Sequence, residues 1–201
     1  NGAVATTKET FGANGALTSK SVLTVSANGL SSKIETDLDG NGTFDQSITD
    51  ATVLNADGSK TETISHLKAD GTLKDKSIIT VSASGLSTTT KWDATGDGVA
   101  DRSMTAAIAL GADGSRTETT SFFKANGALE RKIIETVSGN KLTRTTSHDM
   151  DGDGYDDIVA LNSFTKTVTI FWNDSIPTDE YPGSEYGHFY QNDKVVLTVG
   201  G

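Results

Sequence analysis

Residues 86–92 alternate in character: Leu86, Thr88, Thr90 and Trp92 fall on one face of an extended segment, Ser87, Thr89 and Lys91 on the other. The same pattern sits 56 residues earlier at Leu30, Ser32, Ile34 and Thr36, and 56 later at Leu142, Arg144, Thr146 and His148. Stretches 20–25, 76–81 and 132–137 are likewise equivalent and rich in Val, Ile and Thr. β-branched side chains suit a pleated surface, and a period of two marks a half-buried strand rather than a helix. No convincing helical pattern occurs in residues 1–172. Turn signals punctuate the runs at Asn14-Gly15, Asn28-Gly29 and Asp57-Gly58, then again at Asp70-Gly71, Ser84-Gly85 and Asp113-Gly114. Asn-Gly and Asp-Gly between alternating runs predict hairpins closed by type I′ turns, which need positive φ twice. Four strands of roughly eight to ten residues per repeat follow from that spacing.

The reading is an all-β chain of antiparallel hairpins and meanders, in tandem units of 56 residues and about four strands each. Repeat one covers 1–60, repeat two 61–116 and repeat three 117–172. An elongated stack is expected, with Leu30, Leu86 and Leu142 in equivalent places, as are Phe11, Leu67 and Phe123. Residues 173–201 break the pattern: both prolines (Pro177, Pro182) and Tyr181, Tyr186 and Tyr190 lie there. This tail reads as an atypical cap or a junction, because terminal repeats often differ. It ends in a β-prone run, Lys194–Val199, which either folds back as a final strand or adds to a neighbour's sheet. The opening Asn1-Gly2, without Met, reads as a fragment or a processed product.

Composition sharpens this. Leu, Ile, Val and Phe total only 43 of 201 residues, close to the ~20 % at which a charged chain struggles to fold. Thin cores need help, and a ligand bound only by the folded state supplies it by mass action. The net charge is −10 with no basic block, so the clustered Lys and Arg of a phosphate-binding surface are missing and nucleic acid is excluded as a partner. There is no cysteine, which removes disulfides, thiolate nucleophiles and Cys-based zinc sites. No apolar stretch reaches the ~20 residues of a membrane-spanning helix.

Much of the acid sits in one nonapeptide repeated in phase, DLDGNGTFD from Asp37, DATGDGVAD from Asp93 and DMDGDGYDD from Asp149. Oxygen donors fall at loop positions 1, 3, 5 and 9, and glycine at position 6 permits a sharp turn. Calcium, a hard cation, takes six to eight oxygens at ~2.3–2.6 Å, while magnesium demands a stricter octahedron. The ligands expected in the first loop are Asp37, Asp39, Asn41, the Thr43 carbonyl and Asp45. In the second they are Asp93, Thr95, Asp97, the Val99 carbonyl and Asp101. The third offers Asp149, Asp151, Asp153, the Tyr155 carbonyl and Asp157. A helical EF-hand is excluded, since its position-12 Glu is replaced by Ile48, Met104 and Ala160. About three Ca²⁺ ions are expected, the third loop tightest by carboxylate count and the second weakest through Thr95.

The histidines His66, His148 and His188 lie in separate contexts and form no nucleophile–base set, so no enzymatic activity is expected. Trp92, just before Asp93, is expected to cover its loop, and the tail aromatics offer an alternative carbohydrate- or partner-binding role. The repeat, with NADGSKTET and GADGSRTET leading into KADGTLKDK and then the acidic loop, is similar to calcium-binding tandem repeats of large RTX-type, type I-secreted bacterial surface proteins of adhesin or surface-layer kind. DMDGDGYDDIVALN resembles the calcium loop of FG-GAP or VCBS repeats, matching it at Asp149, Asp151, Asp153 and Asp157. That resemblance implies an extracellular, cell-surface spacer, stalk or filament subunit, with calcium, copies of itself or other surface proteins as partners. The glycine-rich nonapeptide tandem of the RTX β-roll is absent, which favours antiparallel hairpins.

Overall fold

A computed structural model describes residues 2–162, 167–171 and 194–198, with side chains over 2–157. Its elements are strands alone: β1 Val4–Phe11, β2 Leu17–Val25, β3 Ser31–Asp37 and β4 Gln46–Leu54 cover the first repeat. The second holds β5 Lys60–Lys68, β6 Leu73–Val81, β7 Ser87–Asp93 and β8 Arg102–Leu110. The third holds β9 Arg116–Lys124, β10 Leu129–Val137, β11 Arg144–Asp149 and β12 Ile158–Asn162, after which come β13 Thr167–Phe171 and β14 Lys194–Thr198. Strands β1 to β11 follow one another in chain order as one open antiparallel meander, and β12, β13 and β14 form a second, three-stranded sheet. The four-strand rhythm read from the turn spacing is therefore the rhythm of the fold. The chain divides into two compact units, Asn1–Thr105 and Ala106–Gly201.

The turns differ from the expected type I′. Of the described non-glycine residues only Lys141 has positive φ; Asn14 and Asp57 do not, while Gly15 (78°) and Gly58 (82°) do. Gly12 N–H donates to Ala16 O at 2.8 Å and Gly15 N–H to Gly12 O at 2.9 Å, enclosing three residues. This is a type I turn followed by a left-handed glycine, a form that spends positive φ once. The Asn or Asp before each glycine fixes it from the side: Asn14 Oδ1 accepts Ala16 N–H at 3.1 Å, and Asp57 Oδ1 accepts Ser59 N–H at 2.9 Å. A bulge accompanies the first hairpin of every repeat, at Thr10/Phe11, His66/Leu67 and Leu129/Arg131.

Side chains gather in rows across the strands. Leu23, Ile34 and Ile48 stand in register on one face, continued by His66 and its partner Asp75. Yet among residues 2–157 no apolar side chain is buried; the buried residues are Asp37, Ser59, Thr90, Asp93, Asp149 and Asp157. A single layer covers each face only with its own neighbours, so its side chains stay half-exposed. Leu30, Leu86 and Leu142 occupy equivalent places at hairpin ends, where Leu86 is 37 % and Leu142 84 % exposed, and Phe11 is 57 % exposed. The best-buried side chains among residues 2–157 are aspartates at the strand ends.

Candidate metal centre

Each acidic nonapeptide begins on the last residue of a strand (β3, β7 or β11) and runs into the next strand. Its first aspartate turns inward and organises the loop. Asp37 Oδ1 accepts Gly40 N–H at 2.7 Å and Oδ2 accepts Gly42 N–H at 2.8 Å. Asp93 repeats this with Gly96 at 2.7 Å and Gly98 at 2.8 Å, and Asp149 with Gly152 at 2.7 Å and Gly154 at 3.0 Å. The ninth residue closes the loop from the other side. Asp45, Asp101 and Asp157 accept the N–H of Leu38, Ala94 and Met150 at 2.7, 2.7 and 2.6 Å. Their own N–H groups donate to Thr36, Trp92 and His148 carbonyls.

Intermediate positions are held by short turns through their own oxygens. Asp39 Oδ1 accepts Asn41 N–H at 3.1 Å and Asn41 Oδ1 accepts Thr43 N–H at 2.7 Å. Asp151 accepts Asp153 N–H at 3.1 Å, Asp153 accepts Tyr155 N–H at 2.8 Å, and Asp97 accepts Val99 N–H at 2.8 Å. Val99 and Tyr155, at position 7, are 64 % and 52 % exposed.

Two of the loops gather carboxylates tightly enough to hold a metal ion. Oxygens of Asp37, Asp39 and Asp45 lie within 4.8 Å of one another, and so do those of Asp149, Asp151 and Asp153. The second loop, with Thr95 at position 3, forms no such group among the described residues; Thr95 Oγ1 instead donates to Asp93 Oδ1 at 3.4 Å. In the third loop the group comprises positions 1, 3 and 5, while Asp157 is buried beside it.

Electrostatics reflect the crowding. Burial alone would raise the Asp37 carboxyl, but the N–H groups of Gly42 and Gly40 outweigh it and hold the group below its ordinary value. Asp93 behaves alike: burial raises it, and Gly96, Gly98 and the charge of Lys76 bring it below normal. Asp151 moves the other way, raised by burial and then by the negative charges of Asp153, Asp157 and Asp149. Like charges close by disfavour ionisation of the carboxyl they surround. An all-oxygen donor set of this kind suits a hard divalent cation.

Two features of the loops escaped the sequence reading. Glycine at position 4 matters as much as at position 6: Gly40, Gly96 and Gly152 have φ of 74°, 75° and 82°. A Cβ on Gly96 would lie 2.5 Å from the Leu73 carbonyl, and Gly40 and Gly152 press equally on Leu17 and Leu129. The loop thus lies against the start of the preceding β2, β6 or β10 strand. Recurrence of that glycine in all three copies was the available signal. The second feature is a lysine across the sheet from each first aspartate, pairing Lys20 with Asp37, Lys76 with Asp93 and Lys132 with Asp149. Lys132 Nζ lies 3.8 Å from Asp149 Oδ2, whereas Lys20 turns to Glu9 at 3.2 Å. The lysines also recur every 56 residues, but only strand register reveals their partner.

The remaining candidates have other partners. His66 hydrogen-bonds Asp75 through Nδ1, and His148 offers its carbonyl to Asp157. Trp92 carries the Arg102 guanidinium over its ring, 5.8 Å from the centroid. Tyr181, Tyr186, His188 and Tyr190 lie outside the described residues. No family model matches the chain, and no curated protein matches it.

Proposed function

We propose that this chain is a calcium-stabilised structural module of a secreted bacterial surface protein, serving as spacer, stalk or layer subunit rather than as an enzyme. One observation carries the reading: in a sheet without a buried apolar side chain among residues 2–157, four of the six buried residues are loop aspartates, Asp37, Asp93, Asp149 and Asp157. Ligation by calcium would cancel the repulsion within Asp149, Asp151 and Asp153 and within Asp37, Asp39 and Asp45. It would also cross-brace neighbouring strand ends, since each loop both joins two strands and rests on a third. The surface location rests on the resemblance of the repeat to secreted tandem arrays.

Calorimetric titration of calcium into chelator-stripped protein tests the reading. Up to three ions should bind, with the second loop weakest, and the thermal midpoint should rise with free calcium as mass action requires. Binding of no ion, with a midpoint indifferent to chelator, overturns it.

A further inference from the structure

The lysine across the sheet from each first loop aspartate has a second cross-strand neighbour on its other side. The row reads Glu9, Lys20, Asp37 in repeat one, Ser65, Lys76, Asp93 in repeat two, and Ser121, Lys132, Asp149 in repeat three. Each lysine thus stands between a strand residue and a loop. Where the strand residue is serine, the ammonium serves the loop. Lys132 Nζ lies 3.8 Å from Asp149 Oδ2. In repeat two burial raises Asp93, and the N–H groups of Gly96 and Gly98 and then the charge of Lys76 bring it down. Where the strand residue is glutamate, the ammonium turns away: Lys20 Nζ lies 3.2 Å from Glu9 Oε1. The Asp149 side chain is 0 % and that of Lys132 23 % exposed, against 38 % and 35 % for Glu9 and Lys20. Water and salt therefore screen the loop pair less than the strand pair.

Resting on the calcium reading above, we propose that Lys76 and Lys132 are tethered cations that stand in for calcium at their loops and withdraw when it binds, and that Glu9 relieves the first loop of this competition. An ammonium beside buried Asp149 offsets part of the repulsion within Asp149, Asp151 and Asp153 while no metal is bound. A divalent ion in that group carries the same sign as the ammonium, so the two repel across a poorly screened gap. Withdrawal is open to lysine, because its flexible four-carbon stem can carry the charge out into water. The residue on the far side of the lysine therefore sets the calcium threshold of the loop: serine raises it and glutamate lowers it. Carboxylate count favours the third loop, and Lys132 works against that advantage. Glu9 is a positioning residue, acting on the first loop only through Lys20.

The test is calcium titration of the full, chelator-stripped chain, read loop by loop in NMR spectra at the amides of Gly40 and Gly42 and of Gly152 and Gly154. Lys132→Met keeps the apolar stem and should tighten calcium binding at the third loop about three- to ten-fold, while lowering the thermal midpoint in chelator. Ser121→Glu should also tighten it, and should lose most of that effect in the Lys132→Met chain. Glu9→Ser should weaken binding at the first loop, and the loss should vanish in a Lys20→Met chain. The changes at Ser121 and Glu9 leave every loop residue in place, and they decide the matter should Lys132→Met fail to fold. Unchanged or weaker calcium binding in Lys132→Met overturns the proposal, as does a Glu9→Ser loss that persists without Lys20. An unaltered chain with no calcium-dependent shift at Gly152 and Gly154 overturns the calcium reading itself. Binding there without a gain in Lys132→Met or Ser121→Glu overturns the competition alone.

Discussion

One left-handed turn position holds a glycine in the first two repeats and a lysine in the third. Lys141 has φ of 61°, where Gly29 (69°) and Gly85 (70°) stand in the earlier repeats. A left-handed conformation costs a side-chain-bearing residue ~1–2 kcal/mol, partly offset by the greater freedom glycine loses on folding. Lys141→Gly should therefore stabilise the protein by roughly 0.5–1 kcal/mol in denaturant unfolding. The loop glycines make the opposite experiment. Gly98 has open space around an added Cβ, while Gly96 meets the carbonyls of Leu73 and Lys74 at 2.5 and 2.8 Å. Both substitutions to alanine pay for the positive φ, but Gly96→Ala adds a backbone clash and should cost ~1–3 kcal/mol more than Gly98→Ala. Equal losses would show that the loop can lift away from β6. Glycine at position 6 was legible from turn chemistry; the demand at position 4 comes from a strand distant in sequence, which local reasoning does not see.

At the level of elements, alternation and turn spacing revealed the strands and their order, because each hairpin is a local event. Turn type was less legible: Asn-Gly suits type I′, yet the side chain of Asn14 reaching Ala16 N–H favours a three-residue loop with one left-handed glycine. The exposure of Leu86 and Leu142 was not legible, because period two reports a face, not whether another layer covers it. The loops as elements carry a test whose sign reverses with metal. Asp151 is raised by burial and by three neighbouring carboxylates, so its charge weakens the metal-free loop. Asp151→Asn should raise the midpoint in chelator by a few degrees at most. With calcium present the same change should lower the midpoint and weaken binding at the third loop, because the loop loses a carboxylate. Paired thermal melts with chelator and with calcium check both signs; a loss in both conditions would assign Asp151 a purely structural role.

For the whole molecule, two opposing terms set the response to acid. At neutral pH the net charge of −10 makes the chain repel itself, and protonation toward the isoelectric point near 4.6 relieves that repulsion. Against this stand aspartates held below their ordinary 3.8. Asp57, Asp70 and Asp113 are lowered first by the hydroxyls of Ser59, Thr72 and Ser115 and then by the same residues' N–H groups. In Asp37 and Asp93 burial works upward, but loop glycine N–H groups overcome it. A carboxyl lowered by folding binds fewer protons in the folded than in the unfolded chain. Its contribution is thus complete above about pH 4 and is lost as pH falls through the unfolded value toward the folded one. Asp151 has the reverse sign, its penalty fading on acidification, but it is one group against five. In chelator the thermal midpoint should accordingly pass through a shallow maximum at about pH 5 and fall steeply below about pH 4. Calcium should steepen the acid limb, since protons compete with the metal for the same carboxylates. Circular-dichroism melts across that range check the shape, and a midpoint that climbs from neutral pH to a sharp maximum at the isoelectric point near 4.6 and falls on both sides of it would show that repulsion, not the hydrogen-bonded aspartates, governs this sheet.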